Sequence, residues 1–220
     1  YDNVDLEAAT AHNVVVMNTP GQNANAVAEL VLGLLVFTVR NFYNGKAGSE
    51  LKGKKLGILA FGNVGRNVAR IAKGFGMEVA AYDAYCPAEV ITAAGVEAAA
   101  SQAQLFKDCD IVSLHIPATA ETKQSINKAL VSTMKKGAIL INTARKEVIN
   151  EPELLELLLE KARTDGVQDY IKRVLDKKSN SPKLLGKSVR GDGLILNSGV
   201  KPLENIREAG NYILKNYFFD

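Results

Sequence analysis

Short apolar runs alternate with helical patterns along this 220-residue chain, and that alternation constrains its fold more than any other feature. The clearest runs are Leu56–Phe61, Glu78–Tyr82, Ile111–Leu114 and Ala138–Asn142. Strands that alternate with helices indicate a parallel sheet, because parallel neighbours need a crossover connection that is usually a helix. The sequence therefore predicts an α/β fold, a doubly wound parallel sheet of Rossmann type with helices on both faces.

The helical patterns separate these runs, and one of them is unusually apolar. Helices are predicted at 24–42, 63–77, 87–94, 101–106, 128–134 and 152–163, and a further short strand at 14–17. The helix at 24–42 is apolar on almost every side, which is typical of a helix that is buried all round. One way to bury it in a domain of this size is against a second copy. The sequence therefore predicts a homodimer through helix 24–42.

A glycine pattern occupies the turn between the first of these strands and its helix. The segment Ala60-Phe61-Gly62-Asn63-Val64-Gly65 matches G-x-G-x-x-G except that alanine replaces the first glycine. Gly62 would let the backbone approach a pyrophosphate, and Gly65 would let the helix pack closely on the strand. The helix N-terminus would present unpaired amides to the phosphates. The alternative is a tight turn in a sheet protein that binds nothing there.

An acidic residue, Asp83, follows the next strand. In dinucleotide-binding folds an acid at this position accepts hydrogen bonds from the adenosine ribose hydroxyls. It also repels a 2′-phosphate, so NAD is predicted as the cofactor in preference to NADP. Strand, turn, helix, second strand and acid in this order indicate a dinucleotide site more specifically than the glycines alone.

Composition argues against several other classes of protein. The net charge of +3 is too small to indicate a nucleic-acid or membrane partner. The basic stretch at 172–190 is predicted to be a solvated face. The most apolar stretch, 27–39, is too short to span a bilayer, which takes roughly 20 apolar residues. Two cysteines without metal-like spacing predict reduced thiols, a cytoplasmic location and no metal site.

Further segments resemble the D-isomer-specific 2-hydroxyacid dehydrogenases and, within that family, the D-3-phosphoglycerate dehydrogenases. The similar segments are Tyr1–Asp5, Asn18–Gly21, Val27–Leu30, Leu51–Ile58, Leu114–Pro117 and Ile141–Arg145. The resemblance covers about residues 1–165. The resemblance implies an NAD-dependent enzyme that transfers hydride between NAD(H) and a small 2-hydroxy or 2-keto acid. 3-Phosphoglycerate is the leading candidate substrate.

The resemblance also implies roles for residues that follow the later strands. Cofactor contacts are expected from His115, Pro117, Thr122, Thr143 and Ala144. Arg145 is the expected catalytic arginine. A guanidinium at the carboxyl edge of a parallel sheet can hold a substrate carboxylate by two hydrogen bonds and polarise the carbonyl beside it. The alternatives are core packing for His115 and a turn-capping surface residue for Arg145.

The sequence departs from the family in its domain content. The family's substrate domain is built largely from a preceding segment, and residues 1–20 resemble only the trailing edge of it. The expected organisation is this remnant, an NAD-binding domain at 21–169 and a divergent segment at 170–220, with the substrate domain largely missing. Lys146 also replaces the glycine that commonly follows the family's arginine.

The partners of the arginine depart from the family as well. The family's proton donor is a histidine paired with a glutamate, and this chain has no histidine after His115. Some members carry lysine at that place, so Lys183 is a candidate proton donor if its pKa is lowered; a solvated lysine is the alternative. Asp169 is a candidate contact to the nicotinamide amide. The second hypothesis is a non-catalytic NAD-binding sensor or scaffold, or an inactive fragment of such an enzyme.

Overall fold

The computed structural model describes residues 4–40, 47–164 and 217–218, and five parallel strands form the centre of the described part. The strands are β1 (Lys55–Leu59), β2 (Glu78–Tyr82), β3 (Glu97–Ala98), β4 (Ile111–Leu114) and β5 (Ile139–Asn142), in the order β3-β2-β1-β4-β5. β6 (Tyr217–Phe218) pairs with β5 in the antiparallel direction. The predicted doubly wound sheet is confirmed. Its strand order reverses between β1 and β4, where such sheets bind ligands.

Helices cover both faces of this sheet. They are α1 (Leu6–Ala11), α2 (Ala24–Val39), α3 (Asn63–Gly74), α4 (Ala88–Ala93), α5 (Gln102–Asp108), α6 (Lys128–Val131) and α7 (Glu151–Thr164). Apolar residues of α2 and α3 form one core, and those of α5, α6 and α7 form the other. The strands feed both cores in turn: Ile58 belongs to the first and Leu59 to the second. Successive side chains of a strand point to opposite faces, and both faces are buried, so most residues of these strands are apolar.

The strand predicted at 14–17 is wrong. Residues 14–19 have no regular structure, and Val15 and Met17 are 80% and 86% exposed. The run satisfies strand propensity, but a strand also needs a neighbour that pairs with its backbone groups, and none of the described strands lies beside it. The structure instead forms α1, which was not predicted and which begins where Asp5 Oδ1 accepts a hydrogen bond from Ala8 N–H at 2.9 Å.

Helix α2 is buried on one side only within a single copy of the chain. Ala28, Val31 and Leu35 pack into the core beside α3. On the other side, Ala26 and Gly33 are exposed and Leu30 is 54% exposed. The prediction of burial all round therefore does not hold for one copy. The outward side forms an apolar stripe, here defined as Ala26, Leu30 and Gly33.

The remaining physical expectations concern cysteines and membranes. Both cysteines are free thiols, with Cys86 half-buried and Cys109 buried. Burial raises the pKa of the Cys109 thiol to about 12, so it remains protonated and unreactive at neutral pH. Within the described ranges, no helix combines the length and apolar character needed to cross a membrane. The cytoplasmic location stays a prediction.

Candidate functional site

The turn after β1 leads directly into the N-terminus of α3. Gly62 is the N-cap residue, and the first helical hydrogen bond runs from Arg66 N–H to the Gly62 carbonyl oxygen at 3.0 Å. The amides of Asn63, Val64 and Gly65 therefore precede the helical ladder and have no acceptor within the helix. Together with the positive end of the helix dipole, they form a group of donors suited to a diphosphate.

The two glycines of the turn have different surroundings. A Cβ built on Gly65 would lie 2.3 Å from the Ala60 carbonyl oxygen and 3.0 Å from Ile58 Cγ2, so α3 packs on β1 at a distance that only glycine permits. A Cβ built on Gly62 would meet no atom within 4 Å. Gly65 is thus needed for packing, whereas the space beside Gly62 is open for a ligand that approaches the backbone.

Ala60 adopts a backbone conformation that usually belongs to glycine. Its φ is +78°, in the left-handed region, and its N–H donates to the Tyr82 carbonyl oxygen at 2.9 Å. A side chain in this region costs about 1–2 kcal/mol. Ala60, which replaces the first glycine of the pattern, is therefore a strained residue in an otherwise ordinary turn.

Replacing Ala60 with glycine is expected to stabilise the protein by about 1 kcal/mol, because the relief of strain exceeds the added entropy of the unfolded chain. Thermal and urea unfolding measure this change. Ala93→Gly in the last turn of α4 is the matched control, and it should destabilise by up to about 1 kcal/mol. If Ala60→Gly destabilises as the control does, the left-handed conformation at position 60 is not present.

The carboxylate of Asp83 holds the glycine turn against the end of β2. Its Oδ2 accepts from Phe61 N–H at 2.7 Å, and its Oδ1 accepts from the N–H groups of Tyr85 at 2.8 Å and Cys86 at 3.1 Å. An ionised carboxylate has about four acceptor positions, so the bonds made by the described residues leave one, on Oδ2. That position suits a ribose hydroxyl donor next to a diphosphate held by α3.

The segment after β4 contains three of the predicted cofactor contacts. His115 Nε2 lies 2.9 Å from the hydroxyl of Ser113, and the His115 N–H continues the sheet by donating to the Leu59 carbonyl oxygen. The Thr122 hydroxyl donates to the Pro117 carbonyl oxygen at 2.5 Å and accepts from Thr119 N–H at 2.7 Å. Thr122 therefore fixes the shape of this loop, whatever it contributes to a ligand.

The pH dependence of stability is expected to report the environment of His115. Burial lowers the pKa of His115 to about 4, whereas an unfolded histidine titrates near 6.5. The unfolded chain therefore binds more protons than the folded chain below pH 6.5, and stability falls as the pH drops towards 4. The expected loss is about 2 kcal/mol between pH 7 and pH 5.

This loss can be measured by urea unfolding across that range, and His115→Asn should flatten the curve. The chain has two histidines, so the ring resonances of the wild type can be assigned by comparison with the variant. A resonance of His115 that titrates near pH 6.5 in the folded protein would contradict the expectation.

The loop after β5 is organised by Asn142. Its Oδ1 accepts from Ala144 N–H at 2.9 Å, and its Nδ2 donates to the Arg145 carbonyl oxygen at 3.2 Å. One side chain therefore fixes the backbone on both sides of Ala144. The exposed side chain of Arg145 extends from this loop at the carboxyl edge of the sheet, the same edge as the glycine turn.

Thr143 lies between these anchors and has an unsatisfied polar atom. Its hydroxyl is buried and has no hydrogen-bond partner among the residues that the structure describes. A buried hydroxyl without a partner costs about 1–3 kcal/mol, so this atom at the sheet edge is suited to a hydrogen bond with a ligand. The open space at Gly62, the spare acceptor on Asp83 and this hydroxyl are all compatible with a bound dinucleotide.

The sheet thus brings most of the predicted site residues to one edge. These are Gly62, Asn63, Val64, Gly65, Asp83, His115, Pro117, Thr122, Thr143, Ala144 and Arg145. Asp169 and Lys183 lie outside the described residues, as does the segment 170–216. The individual roles stay predictions. Sequence reasoning missed Ser113 and Asn142, although an amide side chain at the end of a buried strand is a signal that could have identified Asn142.

Comparison with known proteins decides the family. Residues 37–179 match the family model of the D-isomer specific 2-hydroxyacid dehydrogenase NAD binding domain. The chain belongs to this family. As a member, it carries an NAD-binding domain of Rossmann type, and the predicted cofactor class is confirmed.

Two relatives and one solved structure show the breadth of the similarity. The chain is 38% identical over 172 residues to a D-3-phosphoglycerate dehydrogenase of Methanocaldococcus jannaschii, a match that covers 72% of this chain and 33% of the relative. It is 40% identical over 168 residues to a hydroxypyruvate reductase of Thermotoga maritima, covering 70% and 54%. The NAD+-bound 3-phosphoglycerate dehydrogenase of Entamoeba histolytica superposes with a TM-score of 0.65 at 42% identity, covering 73% and 51%. The family member described here therefore spans about half or less of these relatives.

Proposed function

We propose that this chain is the cofactor-binding part of an enzyme that transfers hydride between NAD(H) and a small 2-hydroxy or 2-keto acid. The observation that carries the proposal is the position of Arg145 on a loop at the sheet edge that also holds the glycine turn. Asn142 fixes the backbone of that loop through two hydrogen bonds. A guanidinium held there can bind an acid next to a nicotinamide.

The reaction assigns a separate task to each group of residues. The amides that begin α3 would hold the diphosphate, and the spare acceptor of Asp83 would hold the adenosine ribose. NADH, when bound, supplies the hydride that is added to the keto carbon. Arg145 would grip the substrate carboxylate with two parallel N–H groups and stabilise the charge that develops on the carbonyl oxygen. Lys183 remains the candidate donor of the proton which that oxygen then takes up.

For the substrate we propose 3-phosphoglycerate, with the phosphorylated hydroxypyruvate as the matching keto acid. Relatives named as D-3-phosphoglycerate dehydrogenases and as a hydroxypyruvate reductase match the chain at similar identity, so the comparisons support the class of acid more strongly than its phosphate. The deciding experiment follows NADH oxidation with phosphohydroxypyruvate, hydroxypyruvate, glyoxylate and pyruvate under one set of conditions. A higher kcat/KM for hydroxypyruvate than for its phosphorylated form would reject the proposed substrate but keep the reaction class.

A second candidate is a domain that binds NAD without turnover. The observation that favours it is that the amides at the start of α3 and the carboxylate of Asp83 suit a dinucleotide without any contribution from Arg145. Saturable NADH binding, together with no oxidation of any acid in the panel, would support this candidate and contradict the first. Failure to bind NADH would contradict both.

We further propose that the apolar stripe of α2 binds the same stripe of a second copy. The stripe combines Leu30, 54% exposed, with Gly33, where an added Cβ would meet nothing within 4 Å, so that a second helix could approach closely. A two-fold axis would bury this self-complementary surface on both copies. Sedimentation should show a dimer at micromolar concentration for the wild type and a monomer for Leu30→Arg. A stable wild-type monomer would contradict the proposal.

A further inference from the structure

One side-chain hydrogen bond joins two loops at the carboxyl edge of the sheet. Tyr85, in the loop after β2, donates its hydroxyl hydrogen to Glu121 Oε2, in the loop after β4, at 2.9 Å. β2 and β4 are the two neighbours of β1 in the sheet. A contact between their loops therefore crosses the line of β1 at the end where the glycine turn begins. This contact is here called the Tyr85–Glu121 clasp.

The first end of the clasp is anchored to the cofactor site. Tyr85 N–H donates to Asp83 Oδ1 at 2.8 Å, and Asp83 Oδ2 accepts from Phe61 N–H in the glycine turn at 2.7 Å. The carboxylate expected to hold the adenosine ribose thus also positions the backbone of Tyr85. A change in this carboxylate would be transmitted to the clasp through one hydrogen bond.

The second end is anchored by the loop after β4. Thr122 follows Glu121, and its hydroxyl bonds to the Pro117 carbonyl oxygen and the Thr119 amide. These contacts hold the loop in a fixed shape and so keep Glu121 where its carboxylate meets the Tyr85 hydroxyl. The clasp therefore links two well-anchored backbones through two exposed side chains.

Burial contributes little to the position of Tyr85, whose residue surface is 83% exposed. The hydrogen bond to Glu121 is therefore the side-chain contact that places the Tyr85 hydroxyl. The carboxylates of Glu121 and Asp83 raise the pKa of Tyr85, so its phenol keeps its proton and stays a donor across the physiological range. The hydrogen bond to Glu121 is thus available whenever the loops are in this arrangement.

We propose that the Tyr85–Glu121 clasp closes over the adenosine half of the bound dinucleotide and slows its release. The inference rests on the NAD site described above. A diphosphate at the start of α3 and a ribose at Asp83 would direct the adenine beyond the end of β2, towards the space between the loops after β2 and β4. The hydrogen bond between Tyr85 and Glu121 joins the two loops across that space. Release of NADH then requires the hydrogen bond to break.

The test is the dissociation rate of NADH, measured by stopped-flow fluorescence after displacement with excess NAD+. Tyr85→Phe removes the hydroxyl and keeps the ring, and Glu121→Gln removes the charge and keeps the size. Each is expected to raise the dissociation rate about threefold to tenfold. This increase corresponds to the net free energy that one typical hydrogen bond contributes. The double variant should release NADH no faster than the faster single variant, because both changes break the same contact.

Glu97→Gln is the matched control. Glu97 is also an exposed glutamate with a side-chain partner, Lys55 Nζ at 2.7 Å, but it belongs to the pair at the start of β1, the opposite edge of the sheet. Its loss should leave the release of NADH unchanged. Thermal unfolding of each variant checks that the fold persists.

A second readout tests the contact without any cofactor. Glu121→Gln should shift the alkaline absorbance titration of one of the seven tyrosines to lower pH, and Tyr85→Phe should remove that tyrosine from the titration. An unchanged titration in Glu121→Gln would overturn the clasp itself. An altered titration with unchanged NADH release would overturn its role. No saturable NADH binding by the wild type would instead contradict the NAD site, and the role of the clasp with it.

Discussion

Replacing Gly65 with alanine is expected to destabilise the protein by about 3 kcal/mol and to weaken NADH binding at least tenfold. The added Cβ would lie 2.3 Å from the backbone oxygen of Ala60, so relief requires a shift of α3 away from β1 and not a change of side-chain rotamer. Overpacking of this kind costs typically 1–3 kcal/mol, and a backbone contact belongs at the upper end. The same shift moves the amides that face the diphosphate. Urea unfolding and NADH titration measure the two effects.

Gly62→Ala is the matched comparison, because it adds the same methyl group three residues earlier. A Cβ there meets nothing within 4 Å, so no clash arises, and stability should fall only by about 0.5–1 kcal/mol, the cost of alanine in place of glycine at the N-cap. The methyl would occupy the open space beside the helix N-terminus, and NADH binding should still weaken at least tenfold. If Gly62→Ala binds NADH as the wild type does, the diphosphate does not approach the backbone there.

Replacing Arg145 with alanine is expected to lower kcat/KM for the best 2-keto acid at least a hundredfold, with NADH affinity changed by less than about twofold. Loss of one preorganised donor to a developing charge costs about 10² to 10³ in rate, and here the substrate carboxylate also loses its partner. Steady-state NADH oxidation measures the first quantity and NADH titration the second. The split between them separates an acid-binding role from a cofactor contact.

Two further variants sharpen the Arg145 prediction. Arg145→Lys keeps the charge but loses the planar fork of donors, so it should recover only part of the lost activity. Lys136→Ala removes an exposed cation that precedes β5, at the opposite edge of the sheet, and should have little effect. Equal activity in Arg145→Ala and the wild type would remove this residue from the mechanism. A large effect of Lys136→Ala would indicate that overall charge is responsible.

The Rossmann-type framework was predictable because each of its parts has a local signature. The predicted bounds at 78–82 and 111–114 agree with β2 and β4, since a fully buried parallel strand is a short apolar run that ends at a polar residue. β3 was missed because its two residues, Glu97 and Ala98, are too few to show a period. The failed strand at 14–17 shows the limit of propensity: β-branched residues favour extended backbone, but only a paired neighbour makes it a strand.

The candidate site divides in the same way. Gly62, Gly65 and Asp83 could be identified because backbone freedom and charge at fixed spacing leave a trace in the sequence. The strain at Ala60 could not, since its φ depends on how the turn meets the carbonyl of Tyr82. Thr143 was predicted only from the resemblance and Asn142 was missed. The two hydrogen bonds of the Asn142 side chain, and the lack of a partner for the Thr143 hydroxyl among the described residues, follow from the packing around them.

By itself, the sequence determined the alternation of strands and helices, the sheet edge at which a dinucleotide is expected and the class of that cofactor. Only the tertiary structure decided which side of α2 is left apolar and exposed, and which loops meet across the end of β1. Tyr85 and Glu121 are 36 positions apart, and no periodicity connects them. Their contact exists because the sheet places β2 and β4 on either side of β1, an order that long-range strand pairing sets and local propensity does not.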